Sequence, residues 1–405
     1  MGRTAKVWVH LHDEIDALHE QKHGSSKIAR ILIEKHGLGE DNLNALRLYV
    51  SRRYAPKGHE ALSEECESLG IPVEDVNHYW HKGKHFSIHA KNSNEIDYSS
   101  VFKEILEAYE PVQMLAMPER SETCQKAIKA TITDAHVGLE PDPDNSSLFD
   151  YEYNEGIFKA NLDKVFASII KECNLHGRFD LLLIDDLGDG LDGWNGFTTR
   201  GGHQLDQNMT NTEAFKAYVL GKLNLIEKCI RAGVANKVMV RSVANCNHAG
   251  DFGEVANLAI QMMLERSYGP DVVEFYILKR FMEHFEYGNH TFILTHGKDK
   301  KHMKRGLPIK LDEQTKNFIN SYIEHYEIRT KYIHLEKGDL HQVSYQRTKR
   351  FDYRNYMSFA PPSAYSQHNF EDGYSGYSIQ VVPKYSNEIS HTDYYFELKK
   401  TRKVA

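Results

Sequence analysis

Nowhere in the 405 residues is there a run approaching the roughly 18 to 20 consecutive apolar residues that a bilayer-spanning helix needs. The start, Met1-Gly2-Arg3-Thr4-Ala5-Lys6, leads into a polar stretch rather than the apolar core of a signal peptide. Cysteine is scarce. Cys66, Cys124, Cys173, Cys229 and Cys246 are odd in number, widely scattered and never in a C-x-x-C pair, which argues against a disulfide framework and a zinc ribbon. Internal repeats and low-complexity tracts are also missing. Charge of one sign is in little excess, 50 Lys+Arg against 57 Asp+Glu for a net −7, so any nucleic-acid contact must come from local basic patches inside an acidic whole. These absences leave a soluble, cytoplasmic protein with reduced thiols and no membrane partner as the expectation.

At 40% apolar residues the chain has material for two domains, at least one with a substantial core. The character changes near residue 120. Val7 to His23, Ser26 to His36 and Asp41 to Tyr54 read as three short helices, with a Gly37-Leu38-Gly39 break before the last. Ile28, Ile31 and Leu32 in the second and Leu43, Leu46 and Val50 in the third recur on one face each, so both stripes can share a small core. Ser25 or Ser26 can cap the second helix, and Gly37 or Gly39 can end it. Three helices with a tight turn before the last resemble a helix-turn-helix domain over residues 1–60. The polar side of the third helix carries Asn42, Asn44, Arg47, Ser51, Arg52 and Arg53, residue types that read base edges and pair with phosphates. A plain helical bundle with solvated arginines accounts for the same pattern.

Residues 61–122 form a mixed connecting segment, with Leu62 to Leu69 helical and His85 to Ala90 alternating as a strand. Tyr79 to His85 mixes aromatic and basic residues that could stack on bases, although aromatics beside lysines are also ordinary packing. From residue 123 to 405 the pattern is strand, polar loop, helix, repeated. Apolar or β-branched runs at Ile128–Thr133, Leu181–Ile184, Val238–Val243, Thr291–Leu294 and Tyr332–Leu335 are each followed by a cluster of Asp, Asn or His. Ile157–Cys173, Thr212–Ile230, Glu254–Leu264 and Glu313–Ile323 read as helices between them. Alternation of this kind implies an α/β domain, and polar clusters just beyond strand ends are where such sheets build their sites.

The clusters run Asp134-Ala135-His136, Asp185-Asp186-Leu187-Gly188-Asp189, Cys246-Asn247-His248, Thr295-His296-Gly297 and Gly338-Asp339-Leu340-His341. In that order they resemble the calcineurin-like metallophosphoesterase superfamily, with its successive D-x-H, G-D-x-x-D, G-N-H, lone H and G-H-x-H motifs. The resemblance spans residues 134 to 341 and is nearest to bacteriophage-encoded members, more distantly to DNA repair exonucleases. It implies a layered αββα domain behind the helix-turn-helix-like one. It also implies two divalent cations, Mn²⁺ foremost with Mg²⁺, Fe or Zn²⁺ as alternatives, held about 3.5 to 4 Å apart to clamp a phosphoryl group and acidify a water.

Carried over residue by residue, Asp134, His136 and His341 would hold the first ion and Asn247, His296 and Asp339 the second. Asp186 would bridge them, facing Asp134 around one shared oxygen. His248 would act as general acid, and Asp189 would orient a ligand or water. A second G-D-x-x-D register, Gly188-Asp189 to Asp192, makes Asp189 the bridge instead; Asp186 is preferred because it follows the apolar run Leu181–Ile184 as closely as Asp134 follows its own. The chain departs from the family at Asp185 and Cys246, where glycine is expected, and at Asp339, where histidine is.

Arg200 in Thr198-Thr199-Arg200-Gly201-Gly202, and Lys298, Lys300, Lys301, Lys304 and Arg305 after His296, could meet phosphate. Arg347, Lys349, Arg350 and Arg354 among Tyr345, Phe351, Tyr353 and Tyr356 could grip a single strand. In each case solvated loops or packed strands explain the residues as well. The expected function is a metal-dependent DNA phosphodiesterase, a nuclease. A phosphatase or cyclic-nucleotide phosphodiesterase, and a DNA-binding protein with a decayed metal site, are the alternatives.

Overall fold

A computed structural model describes residues 8–53, 78–82, 87–91, 103–105, 107, 124–143, 147–303, 305–369 and 374–398. The helix expected at Leu62–Leu69 and the basic residue Lys304 lie outside the described residues. The chain divides into two compact units, residues 1–97 and 98–405.

In the first unit three helices form, α1 (His12–Glu20), α2 (Ser25–His36) and α3 (Leu43–Arg53). The apolar stripes read from spacing meet in part: Ile28 and Leu32 of α2 and Leu46 and Val50 of α3 are buried in one core with Trp8, Leu11 and Ile15, but Ile31 is only partly buried and Ile33 joins the core instead. Gly37, in the left-handed region, ends α2 as expected. The N-cap is Gly24 rather than a serine, so Ser25 and Ser26 fall inside the first turn and cap nothing. A short hairpin, β1 (His78–Lys82) antiparallel to β2 (Ser87–Lys91), also belongs to this unit.

The second unit is a layered α/β fold with two sheets. The larger has the order β13 (Ser390–Tyr395), β12 (Gly376–Pro383), β3 (Cys124–Ile132), β4 (Phe179–Asp186), β5 (Ala235–Val243) and β6 (Val273–Leu278), with β3 to β6 parallel and β12 and β13 antiparallel. The smaller has the order β10 (Ser344–Arg347), β11 (Asp352–Asn355), β9 (Tyr332–Lys337), β8 (His290–Thr295) and β7 (Glu283–Tyr287), with β8, β9 and β11 parallel.

Helices α4 (Glu155–His176), α5 (Asn211–Arg231) and α6 (Gly250–Ser267) cover the larger sheet, and α7 (Glu313–His325) covers the smaller. A short α8 (Ala364–Asn369) follows β11. Strand β8 shows why the layering was readable: Phe292 and Leu294 enter the core between the sheets, while Ile293 meets Ile319 and Ile323 of α7. Both faces are buried, so the strand reads as one apolar run. No helix among the described residues is long and apolar enough to cross a membrane.

Charge is also buried between the sheets. Lys129 of β3 lies 2.6 Å from Glu336 of β9 and 3.5 Å from Asp185 of β4, and Arg241 of β5 pairs with the same Asp185 at 2.6 Å. Tyr356 Oη donates to Glu336 at 2.9 Å. Because β3, β4 and β5 are parallel in one sheet and β8 and β9 in the other, their C-terminal ends carry the five polar clusters to one edge of the sandwich.

Candidate metal centre

The loops beyond β3 and β4 zip together through their backbones. Asp134 N–H donates to Gly188 O and His136 N–H to Asp189 O, both at 2.9 Å. Gly188 has φ of 102°, and a Cβ there would lie 3.0 Å from the His296 ring. Gly338 admits no side chain either, since a Cβ would sit 2.0 Å from Thr133 Oγ1. Asp134, His136, Asp189, Asp339 and His341 all have positive φ, five of the eight non-glycine residues that do so among the described residues. Backbone of that kind is costly and concentrates where side chains must be aimed.

The aim is inward. His136 Nε2 and His341 Nε2 face each other at 3.3 Å, and Asp134 Oδ1 lies 3.3 Å from the latter. Asp134 Oδ1 is buried with no hydrogen-bond partner, while Oδ2 accepts from Thr133 Oγ1 and from the Asp339 N–H. Two imidazole nitrogens and an orphaned carboxylate oxygen converging on one point form a cation site in their donor chemistry. Alongside it, His296 Nε2 faces Asp189 Oδ2 at 2.9 Å, Asn247 Oδ1 at 3.1 Å and Asp339 Oδ1 at 3.9 Å. His296 Nδ1 donates to Leu187 O at 2.9 Å, which fixes the ring with Nε2 inward. Single donor atoms of Asp134, Asp189 and His296 lie within 4.8 Å of one another, so the two groups form one centre.

The charges are tightly linked. Burial alone would push the Asp134 carboxyl up, but the imidazoles of His341, His296 and His136 hold it below the usual carboxylate range. Asp189 behaves likewise, with burial outweighed by His296 and His248. Burial lowers His136 to about 4, and His341 beside it acts in the same direction. For His296 burial is overcome by Asp189, which raises the ring to about 10.

Two assignments from the sequence change. Asp186 does not face Asp134. It ends β4 pointing toward α5, where Oδ2 accepts from Lys222 Nζ at 2.8 Å and Tyr218 Oη at 2.7 Å, and Oδ1 accepts from Gly188 N–H. Asp189 occupies the central place instead, because β4 runs on through Asp185 and Asp186 and the loop starts only at Leu187. Asp189, expected to orient a ligand or water, thus lies inside the cluster of donors. Asp192 lies on the Nδ1 side of His136, its Oδ1 3.1 Å away, close but not aligned as a hydrogen bond, and with His136 and His248 it forms a further group of possible ligands. Burial pushes Asp192 up to about 7. The signal for it was the second Gly188-Asp189-x-x-Asp192 register, which keeps the glycine that the Asp185 register lacks. Cys246, the other missing glycine, is buried and needs no positive φ.

His248 lies at the rim, a quarter exposed at its side chain, with its ring 4.5 Å from that of His136. Its backbone N–H donates to Asp189 Oδ1 and its Nδ1 to Asp192 O, both at 3.0 Å, leaving Nε2 as the free ring nitrogen. Burial lowers its pKa against the pull of Asp189.

Several of the residues expected to grip phosphate are engaged elsewhere. Arg200 Nη1 pairs with Asp299 at 2.9 Å, and the Arg200 N–H donates to Asn247 O, so this loop braces the Asn247-His248 turn. Lys300 pairs with Asp251. Lys298, Lys301 and Arg305 stay on the loop after His296, the last two exposed. In the first unit Arg53 makes a two-pronged pair with Asp16 and Arg47 donates to Asn44, while the Arg52 side chain lies outside the described residues. In the basic-aromatic C-terminal stretch Phe351, Tyr353 and Tyr356 are buried, Arg347 pairs with Asp352 and Arg350 with Glu324, while Tyr345 is exposed beneath the Arg354 guanidinium.

No family profile matches the chain, and no curated protein does. Among solved structures, Vps29 of Entamoeba histolytica complexed with Zn²⁺ aligns with 67% of this chain and 99% of its own at 11% identity and a TM-score of 0.29. An archaeal phosphodiesterase aligns with 66% of this chain and 99% of its own at 10% identity and 0.30. GAP50, the anchor in the inner membrane complex of Plasmodium, aligns with 68% and 87% at 11% identity and 0.34. Likenesses of this strength carry no weight for function, whereas the side-chain geometry does.

Proposed function

We propose that this chain is a metal-dependent phosphoesterase that hydrolyses phosphodiesters, with DNA as its substrate. The convergence of Asp134, His136 and His341 beside Asp189, Asn247, His296 and Asp339 carries the reading. The first three would hold one divalent ion and the last three another, with Asp189 shared between them. When bound, the two ions would supply a Lewis-acid clamp on the phosphoryl oxygens and acidify the attacking water. The chain's own contribution is positional. Leu187 O holds the His296 ring, and Asp192 O holds that of His248 with its Nε2 available. The incoming phosphate anion favours a proton on that Nε2, which can pass to the departing oxygen. Lys298, Lys301 and Arg305, on the loop after His296, are the cationic groups that support a nucleic-acid substrate. The pairing of Arg200 and Lys300 with carboxylates favours a second reading, a smaller phosphoester such as a nucleotide.

A panel of supercoiled DNA, single-stranded DNA, a phosphomonoester and a cyclic nucleotide, assayed with added Mn²⁺, tests the proposal. DNA cleavage that is lost on chelation is expected. Turnover of the small substrates with DNA left intact would replace it by the second reading. In the same assay His248→Gln should lower DNA cleavage about 10²-fold, the lower end for loss of a general acid. Hydrolysis of a nitrophenyl diester, whose leaving group departs without a proton, should hardly change. Equal losses on both substrates would remove the proton-donor role.

A further inference from the structure

The two halves of the centre differ in donor chemistry. Around His136 and His341 the inward atoms are two imidazole nitrogens and the Asp134 oxygen. Around His296 a single nitrogen faces three oxygens, from Asp189, Asn247 and Asp339. Counting Asp189 in both, one half has two nitrogens and two oxygens, the other one nitrogen and three oxygens. Asp339 makes the difference. Its position is built into the fold: its φ of 71° turns the chain inward after β9, and its N–H is held on Asp134 Oδ2 at 3.2 Å. Its side chain is one-tenth exposed. Imidazole donors suit Zn²⁺, whereas carboxylate and carbonyl oxygens suit Mn²⁺ and Mg²⁺.

We propose that Asp339 is a metal-selectivity residue, giving the His296 half a relative preference for a hard ion such as Mn²⁺ while the His136–His341 half retains Zn²⁺. The inference rests on the metal-centre reading above and adds which ion each half takes. Zn²⁺ binds most nitrogen and oxygen sites more tightly than Mn²⁺, so the selectivity is a narrowing of that gap at one half and not its reversal.

The full chain, stripped of metal by chelation, is titrated with Zn²⁺ and separately with Mn²⁺ against a competing metallochromic indicator, which reads the affinity of each equivalent without reference to activity. In the unaltered chain the Zn²⁺-over-Mn²⁺ affinity ratio should be at least about tenfold smaller for the second equivalent than for the first. Asp339→His, which equalises the donor sets, should raise the second ratio about tenfold and leave the first within about twofold. Asp339→Asn, which keeps an oxygen and removes its charge, should weaken the second equivalent of both ions and spare the first. An unchanged second ratio in folded Asp339→His, or an unaffected second equivalent in Asp339→Asn, would overturn the proposal while leaving the metal centre in place. A chain that takes up no stoichiometric ion at all would overturn the metal-centre reading itself.

Discussion

Asp189→Asn should cost the centre at least one ion and lower phosphodiester hydrolysis by more than about 10³-fold, since a metal supplies several kcal/mol of charge stabilisation and about 1.4 kcal/mol is a factor of ten. Asp186→Asn should not. The Asp189 carboxylate sits 2.9 Å from His296 Nε2 and also anchors the His248 backbone, so its charge is spent inside the centre. The Asp186 carboxylate is spent on Lys222, Tyr218 and the Gly188 N–H, outside the donor set. An amide at 186 still accepts from Gly188 but leaves Lys222 with a poorer partner, so the loss there is stability, with ion content of the folded protein retained. Elemental analysis and melting curves of both variants decide the matter. Full ion content in Asp189→Asn, or ion loss in Asp186→Asn at unchanged melting temperature, would return the shared position to Asp186.

The same pair shows where the sequence was legible and where it was not. Polar clusters at the ends of β3, β4, β5, β8 and β9 stood out because each follows an apolar or β-branched run in a strand whose C-terminal residues are buried, as all of His290–Thr295 are. Strand β4 did not end where its apolar residues ended. Asp185 and Asp186 read as loop, yet both are paired strand residues, made tolerable by Arg241 and Lys129 for the first and Lys222 for the second. Those partners stand 36 to 56 positions away and no local pattern announces them. In the C-terminal third a cationic grip and packed strands with charged outer faces read alike. Arg347 and Arg350 look like a cationic surface until Asp352 and Glu324 are set beside them. Likewise β12, alternating Tyr377, Ile379 and Val381 with Ser378 and Gln380, is buried on both faces, because Tyr377 meets Ser168 of α4 on one side and Gln380 donates to Tyr356 Oη between the sheets on the other.

Lys129→Met should destabilise the fold by about 3 to 5 kcal/mol at neutral pH, the cost of leaving a buried charge without its partner. Burial would raise the Glu336 carboxyl, but the Lys129 ammonium at 2.6 Å outweighs it and keeps the group below its ordinary range. A carboxyl depressed in the folded state adds stability above its unfolded pKa, and that stability is lost as pH falls. Without Lys129, burial prevails and Glu336 takes up a proton more readily than it does in the unfolded chain. The variant is then penalised at neutral pH and relieved as pH falls toward the carboxylate range, so the gap between the two proteins should narrow on acidification. Urea unfolding at neutral and mildly acidic pH reads that gap directly. Lys129→Met with Glu336→Leu should recover most of the loss, because Tyr356 Oη keeps the Gln380 amide at 2.7 Å. The consequence reaches the site. Lys129 ties β3 to β9, the strands that deliver Asp134 and Asp339, and Arg241 with Asp185 ties β4 to β5, which deliver Asp189 and Asn247. In the single variant the unpaired Glu336 is driven out of the space between the sheets three residues before Asp339, whereas the double leaves no unpaired charge there, so the single variant should also bind its second ion more weakly than the double one does. A single variant with less than about 1 kcal/mol of loss would show that these charges are solvated and hold nothing.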